Sequence, residues 1–185
     1  MVAFLVSPAS AQSGAVEGIG SASCADLITA RDSDDSAAYN ALGLWLSGYM
    51  TARNVHSDDT FDLTPWQPME AALAQIGQFC TQNTEAQFLA ATEAYIAFLA
   101  PDRLTQASPL IQARNGEQAV FIYGAVLETV KDRLMILGLL EAGAPEGFDA
   151  ATGQALLRYQ QRNALTQTGL PDLPTLALLL RKTPG

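Results

Sequence analysis

The segment Phe148-Asp149-Ala150-Ala151-Thr152 is echoed further along the chain by Leu170-Pro171-Asp172-Leu173-Pro174-Thr175. Asp149 precedes a run of residues that favours helix, so we expect it to cap a helix over residues 150–162. In the second segment, Leu170-Pro171-Asp172 is typical of a turn, and a helix over roughly residues 174–182 should follow it. Each half therefore predicts a loop followed by a helix that opens with Thr.

A third helix is predicted before these two halves. The apolar residues Leu127, Val130, Leu134 and Leu137 have the spacing of one helical face. Gly138 then stands where a left-handed residue would end the helix. Three helices of this length cannot bury much core separately, so we expect them to pack together as a compact bundle.

The same residues resemble the peptidoglycan-binding domain that is appended to bacterial wall enzymes. The resemblance covers roughly residues 126–181 and implies a three-helix fold, with peptidoglycan or muropeptides as the partner. The matching positions are Gly138, Thr152-x-x-Ala155-x-x-x-Tyr159-Gln160 and Gly169-x-x-Asp172-x-x-Thr175.

The sequence departs from this family in one loop and in the first helix. Pro145-Glu146 stand where the family usually has Asp-Gly, and Gly147 comes one place late. Lys131 replaces a Gln that is often found in the first helix. The loop that lines the ligand groove of the family is therefore altered.

The candidate ligand-binding residues come from the second predicted helix and the loop before it. Arg158 and Arg162 stand one turn apart, and guanidinium groups bind carboxylates such as those of muropeptides. A solvated basic face is the alternative. Tyr159 fits the core side, and Gln160 supports the bundle in the family as often as it touches ligand. Phe148 completes this candidate set.

Charge is distributed unevenly along the 185 residues, whose net charge is −9. Residues 1–100 contain 11 acidic and 2 basic residues, whereas residues 101–185 contain 8 of each. An acidic first half argues against nucleic acid or anionic lipid as a partner. No stretch approaches the ~20 apolar residues of a membrane span.

The amino terminus and the cysteines predict export to the periplasm. Val2 to Val6 is a short apolar run, and Ala9-Ser10-Ala11 has the small-x-small pattern of signal cleavage, although a basic region is missing. We expect a truncated signal peptide here, the alternative being a disordered tail. In an exported chain the pair Cys24 and Cys80 would form one disulfide. Two reduced, buried thiols in a cytosolic protein are the alternative.

Residues 23–100 predict a disulfide-stapled helical bundle. Helices are expected over residues 36–54, from Thr64-Pro65 to Cys80, and from Asn83-Thr84 to the residues before Pro101. Its aromatic residues predict core packing, with a groove for a partner as the alternative.

This first unit resembles the small periplasmic acid-stress chaperones of the HdeA type, over roughly residues 22–99. A related group with a similar cysteine pattern serves as immunity proteins against wall-degrading effectors. Thr84 stands where the family usually has Pro. The positions that carry the resemblance are Cys24, Tyr39, Trp45, Gly48, Tyr49, Asn54, Cys80 and Asn83.

The sequence as a whole predicts an all-α protein. Its expected parts are a signal peptide and flexible tail over 1–22, the first unit over 23–100, a linker over 101–118 and a peptidoglycan-binding-like unit over 119–185. His56 lies in a polar loop, and no motif supplies a nucleophile, an oxyanion hole or a set of metal ligands. We therefore predict no catalytic residue, no metal and no cofactor.

The expected function is that of a non-enzymatic periplasmic protein. The second unit would bind peptidoglycan, and the first unit would interact with a periplasmic protein. The alternatives for the first unit are an acid-stress chaperone and an inhibitor or immunity protein of a cell-wall hydrolase. The acidic first half motivates the chaperone alternative, because its carboxylates would lose their charge at low pH.

Overall fold

A computed structural model of the chain describes residues 14–33, 35–143 and 145–180. The predicted signal-peptide features, at residues 2–11, lie outside this range. The described residues form these elements: α1 (Cys24–Asp32), α2 (Ser36–His56), α3 (Met69–Gln82), α4 (Phe88–Leu99), β1 (Leu110–Asn115), β2 (Gln118–Tyr123), α5 (Gly124–Ile136), α6 (Ala150–Arg162) and α7 (Leu173–Leu179). Short 3-10 helices occupy Gly18–Ser21 and Ala100–Asp102.

The first unit is a bundle of α1 to α4 around its own apolar core. Leu27, Leu46, Ile76 and Phe88 are among its most deeply buried side chains. The predicted disulfide is confirmed, because Cys24 at the start of α1 is bonded to Cys80 near the end of α3. The bond therefore joins two helices that also pack on each other in this core.

Residues 14–22, the described part of the predicted flexible tail, lie against the first unit, where Ile19 and Ala22 pack on its core. A 3-10 helix occupies Gly18–Ser21, and the indole Nε1 of Trp45 donates a hydrogen bond to the carbonyl of Glu17 (3.1 Å). A Cβ added at Gly20 would lie 2.1 Å from the indole of Trp45. The small residues that suggested flexibility here instead permit close packing against an aromatic ring.

Residues 110–123 form an antiparallel hairpin, so the prediction of an all-α fold is wrong in this segment. β1 lies within the linker predicted over 101–118, and β2 runs from the end of that linker into the unit predicted over 119–185. Asn115 pairs with Gln118 across a two-residue turn in which Gly116 has a φ of 59°. A glycine at the first central position suits a tight hairpin turn, and this local signal outweighed the apolar run after it.

The second unit packs α5, α6 and α7 around a separate core. Leu127, Val130, Leu134 and Leu156 are fully buried in it. The left-handed cap predicted at Gly138 is confirmed by its φ of 67°. The amides of the residues at Gly138 and after it bond back to the last turn of α5, as in a Schellman motif.

The predicted caps of the last two helices are also present. The carboxylate of Asp149 accepts a hydrogen bond from the backbone N–H of Thr152 (2.7 Å), which starts α6 at Ala150. Asp172 accepts one from the N–H of Thr175 (3.0 Å), which starts α7 at Leu173. The two halves of the repeat therefore begin their helices by the same interaction.

The two units contact each other beside the hairpin. A backbone bridge joins Asp62 to Leu104, and the ring of Phe61 meets that of Tyr123 edge-on at a centroid distance of 5.9 Å. Trp66 comes from the loop before α3 but packs against the second core. Trp45 packs against the first core, so both tryptophans have a core role.

We expect replacement of both Cys24 and Cys80 by Ser to lower the free energy of unfolding of the first unit by about 4 kcal/mol. The physical reason is that a cross-link across 56 residues restricts the unfolded chain. Urea unfolding followed by circular dichroism measures the change. Reduced wild-type protein is the control and should unfold with the variant, whereas equal midpoints for oxidised protein and variant would contradict the expectation.

Candidate functional site

A cavity of about 530 Å³ opens in the second unit between α6 and the loop that follows α5. The loop contributes residues 138–143 and Pro145. The α6 side contributes the capping residue Asp149 and three residues spaced along one helical face, namely Ala151, Gln154 and Arg158. The cavity therefore exists only where two separate segments of the chain meet.

Arg158 is fixed in the wall of this cavity. Its Nη2 donates a hydrogen bond to the carbonyl of Leu139 (2.7 Å), on the opposite wall. A guanidinium carries five N–H groups, so this bond sets its position and leaves further donors for a ligand. Arg158 and Arg162, one turn apart on α6, are both exposed, but Arg162 is not among the residues that line the cavity.

Asp149 places a negative charge in the same wall. Hydrogen bonds from Thr152 lower the pKa of its carboxyl group, and the charge of Lys131 adds to this effect. Asp149 therefore remains ionised at neutral pH. Glu141 contributes a second acidic residue on the loop side, so the cavity combines both signs of charge.

Lys131 anchors the altered loop to α5. Its side chain is almost completely buried, with 2% of the residue exposed. Its Nζ donates to both carboxylate oxygens of Glu128 (3.0 Å each) and to the carbonyl of Pro145 (2.6 Å). The two departures from the family pattern are therefore in contact, since the unusual Lys holds the unusual Pro in place.

Gln160 is fully buried and ties α6 to the loop before α7. Its Nε2 lies within hydrogen-bond distance of the Thr168 hydroxyl (2.9 Å), the Leu170 carbonyl (3.0 Å) and the Thr175 hydroxyl (2.9 Å). Its Oε1 accepts a bond from the N–H of Gly169 (2.8 Å). These contacts give Gln160 a supporting role inside the unit.

The two aromatic candidates also lie against the core. Tyr159 is buried, and this burial raises the pKa of its phenol. Phe148 is partly buried, and its ring lies beside Gly153, where an added Cβ would meet the ring at 3.4 Å. Of the five predicted ligand-binding residues, Arg158 is therefore the one that lines the cavity. The binding roles themselves stay predictions.

Gln154 and the loop after α5 also line the cavity, although the sequence did not predict this. The missed signal was helical spacing, because Ala151 and Gln154 lie on the same face as Arg158. The loop wall had no such signal, since its position depends on the contact of Lys131 with Pro145.

A family model described as a putative peptidoglycan binding domain matches residues 124–179. The second unit is therefore similar to a peptidoglycan-binding domain over these residues. The match begins with α5, ends with α7 and includes every wall of the cavity. It does not reach the first unit, so the resemblance of residues 22–99 to acid-stress chaperones stays a prediction. Neither the search of curated proteins nor that of solved structures found a match.

Neither a metal-binding cluster nor a membrane-spanning helix is found in the part of the chain that the structure describes. It contains no group of three or more His, Cys, Asp or Glu side chains arranged to hold a metal ion. Within the same residues, no helix has both the length and the apolar character needed to cross a membrane.

Replacing Gln160 with Leu should lower the free energy of unfolding of the second unit by about 2–3 kcal/mol, because buried partners such as the Gly169 N–H lose their bonds. The slowest-exchanging amides of α6, followed by native-state hydrogen exchange, report this quantity. Gln161→Leu is the matched control, since its side chain is exposed. Equal losses in the two variants would refute the supporting role.

Replacing Lys131 with Met should release the loop. The lost bond to the Pro145 carbonyl is charge-assisted and worth about 1.5–3 kcal/mol. Cleavage of the native protein after Glu141 and Glu146 by a Glu-specific protease should accelerate about tenfold or more, as that energy implies. Arg133→Met is the control, because Arg133 is exposed on the same helix. An unchanged cleavage rate in the Lys131 variant would show that the loop is held by other contacts.

Proposed function

We propose that this protein is a non-enzymatic, exported protein that binds peptidoglycan through its second unit. The observation that carries the proposal is the family match over residues 124–179, which contains a preformed cavity. The signal-like amino terminus and the Cys24–Cys80 disulfide support an oxidising compartment such as the periplasm.

The cavity has properties that suit a fragment of the wall polymer. Its volume of about 530 Å³ lies in the range of roughly 300–1,000 Å³ found for small-ligand sites. Arg158 is held in position before any ligand arrives, which reduces the entropic cost of binding. Lys131 fixes the facing loop in the same way, so both walls are preorganised.

For the first unit we propose an interaction with a protein partner. The disulfide keeps this bundle compact outside the cell. Its α2 exposes large apolar side chains at Leu44 and Val55, which are 74% and 69% exposed. Wall attachment through the second unit would then hold the first unit, with its partner, at the cell wall.

Cosedimentation of the full chain with insoluble peptidoglycan tests the wall-binding function. We expect the wild-type protein in the pellet and an Ala151→Trp variant in the supernatant, because an indole at this position would fill the cavity. Ala150→Trp is the matched control, since Ala150 is exposed but does not line the cavity. It should sediment like the wild type.

The possible outcomes separate two parts of this proposal. Wild-type protein that stays in the supernatant with an unrelated control protein would refute wall binding. If both tryptophan variants instead sediment as well as the wild type, the protein binds the wall through another surface.

A further inference from the structure

The chemistry of the cavity wall distinguishes between the two components of peptidoglycan. The polymer consists of N-acetylated glycan strands and of short peptide stems attached to them. The glycan presents neutral sugar rings, which proteins commonly hold by stacking them on aromatic side chains. The stems present amide bonds, free carboxylates and the amino group of a diamino residue.

The lining of the cavity lacks the aromatic surface on which a sugar ring would stack. Among the described residues that line the cavity, none carries an aromatic ring. The nearby aromatic side chains are turned toward the protein, since Tyr159 is buried in the core and Phe148 packs on Gly153. Stacking of a sugar ring inside this cavity is therefore not supported.

The lining of the cavity does offer partners for the charged groups of a peptide stem. Arg158 provides N–H donors for a carboxylate, and guanidinium–carboxylate contacts are among the stronger hydrogen bonds of proteins. Asp149 and Glu141 provide acceptors for an ammonium group. Gln154, which can both donate and accept, suits an amide bond.

We infer that the cavity binds the peptide stem of peptidoglycan rather than its glycan, with Arg158 on a stem carboxylate and the acidic pair Asp149 and Glu141 on the free amine of a diamino residue. This inference rests on the proposed function, because it names the part of the wall that the same site recognises. The specificity follows from opposite charges held on the walls of one small cavity.

The positions of two of these charges, Arg158 and Asp149, are set by contacts that do not involve the ligand. The Leu139 carbonyl holds Arg158, and the Thr152 N–H holds Asp149. Asp149 therefore has both a helix-capping role and a binding role. Asn at this position would keep the cap and remove the charge, which allows the two roles to be separated.

The test measures how well soluble fragments compete with insoluble peptidoglycan for the full-length protein. The fragments are a stem tetrapeptide with an acetylated N-terminus and a diamino residue whose side-chain amine is free, the same peptide with that side-chain amine also acetylated, and a tetramer of N-acetylglucosamine. We expect the free tetrapeptide to release the protein and the sugar tetramer to leave it bound.

Two substitutions test which protein residue binds the carboxylate and which binds the amine of the peptide. Arg158→Ala should weaken binding of the tetrapeptide about tenfold or more, whereas Arg114→Ala, an exposed arginine outside the cavity, should change it less than about twofold. Asp149→Asn should weaken binding of the free tetrapeptide but not of the acetylated one, because only the free amine is charged.

The results that would overturn the inference are distinct from failure of the proposed function. Release by the sugar tetramer and not by the tetrapeptide, or release by neither fragment, would overturn the inference while wall binding stands. If the wild-type protein does not sediment with peptidoglycan, the proposed function fails. Direct calorimetric titration with the tetrapeptide then tests the inference separately, and absence of binding overturns it.

Discussion

The buried carboxamide of Gln160 is the polar centre on which the second unit depends. It bonds to Thr168, Gly169 and Leu170 in one loop and to Thr175 in α7, all from a single position on α6. A buried amide left without partners would be costly, so these segments have one arrangement that satisfies it. The orientation of α6 is set in this way, and with it the face that lines the cavity.

A second buried polar group, the ammonium of Lys131, positions the loop on the opposite side of the cavity, as Gln160 positions α6. Lys131 is balanced by Glu128 and donates to the carbonyl of Pro145, so the loop after α5 is held against the bundle. The loop begins at Gly138, whose left-handed conformation turns the chain away from α5. The cavity is therefore built from two walls, each positioned by an interaction that lies behind it.

Contacts made by the segments between the two units hold the second unit next to the first. The β1–β2 hairpin leads directly into α5, and Asn115 at its turn donates a hydrogen bond to the carbonyl of Thr168 (2.8 Å). Trp66 reaches from the first unit onto the second core. The two cores are separate, but the segments between them pack against the second unit and do not form a free linker. A partner bound to the first unit would therefore lie close to the second unit.

Local patterns in the sequence predicted most of the helices but only some of their ends. The predicted starts at Thr64 and Asn83 are wrong, because α3 begins at Met69 and α4 at Phe88. Apolar spacing gave α5, and the caps at Gly138 and Asp149 fixed where helices end and begin, because a cap is a contact between residues close in sequence. The pairing of Cys24 with Cys80 followed from their number. The hairpin was missed because its turn glycine stands before an apolar run that suits a helix equally well.

Residues alone therefore determined most of the helical segments, the pairing of the two cysteines and the family that the last third resembles. The tertiary structure decided which polar residues face a ligand. Arg158 lines the cavity, whereas Gln160 and Lys131 are buried as supports, although all three are polar residues on neighbouring helices. The reason is physical: capping and periodicity act within one or two turns, whereas a cavity wall and the burial of a polar group depend on contacts between segments far apart in the chain.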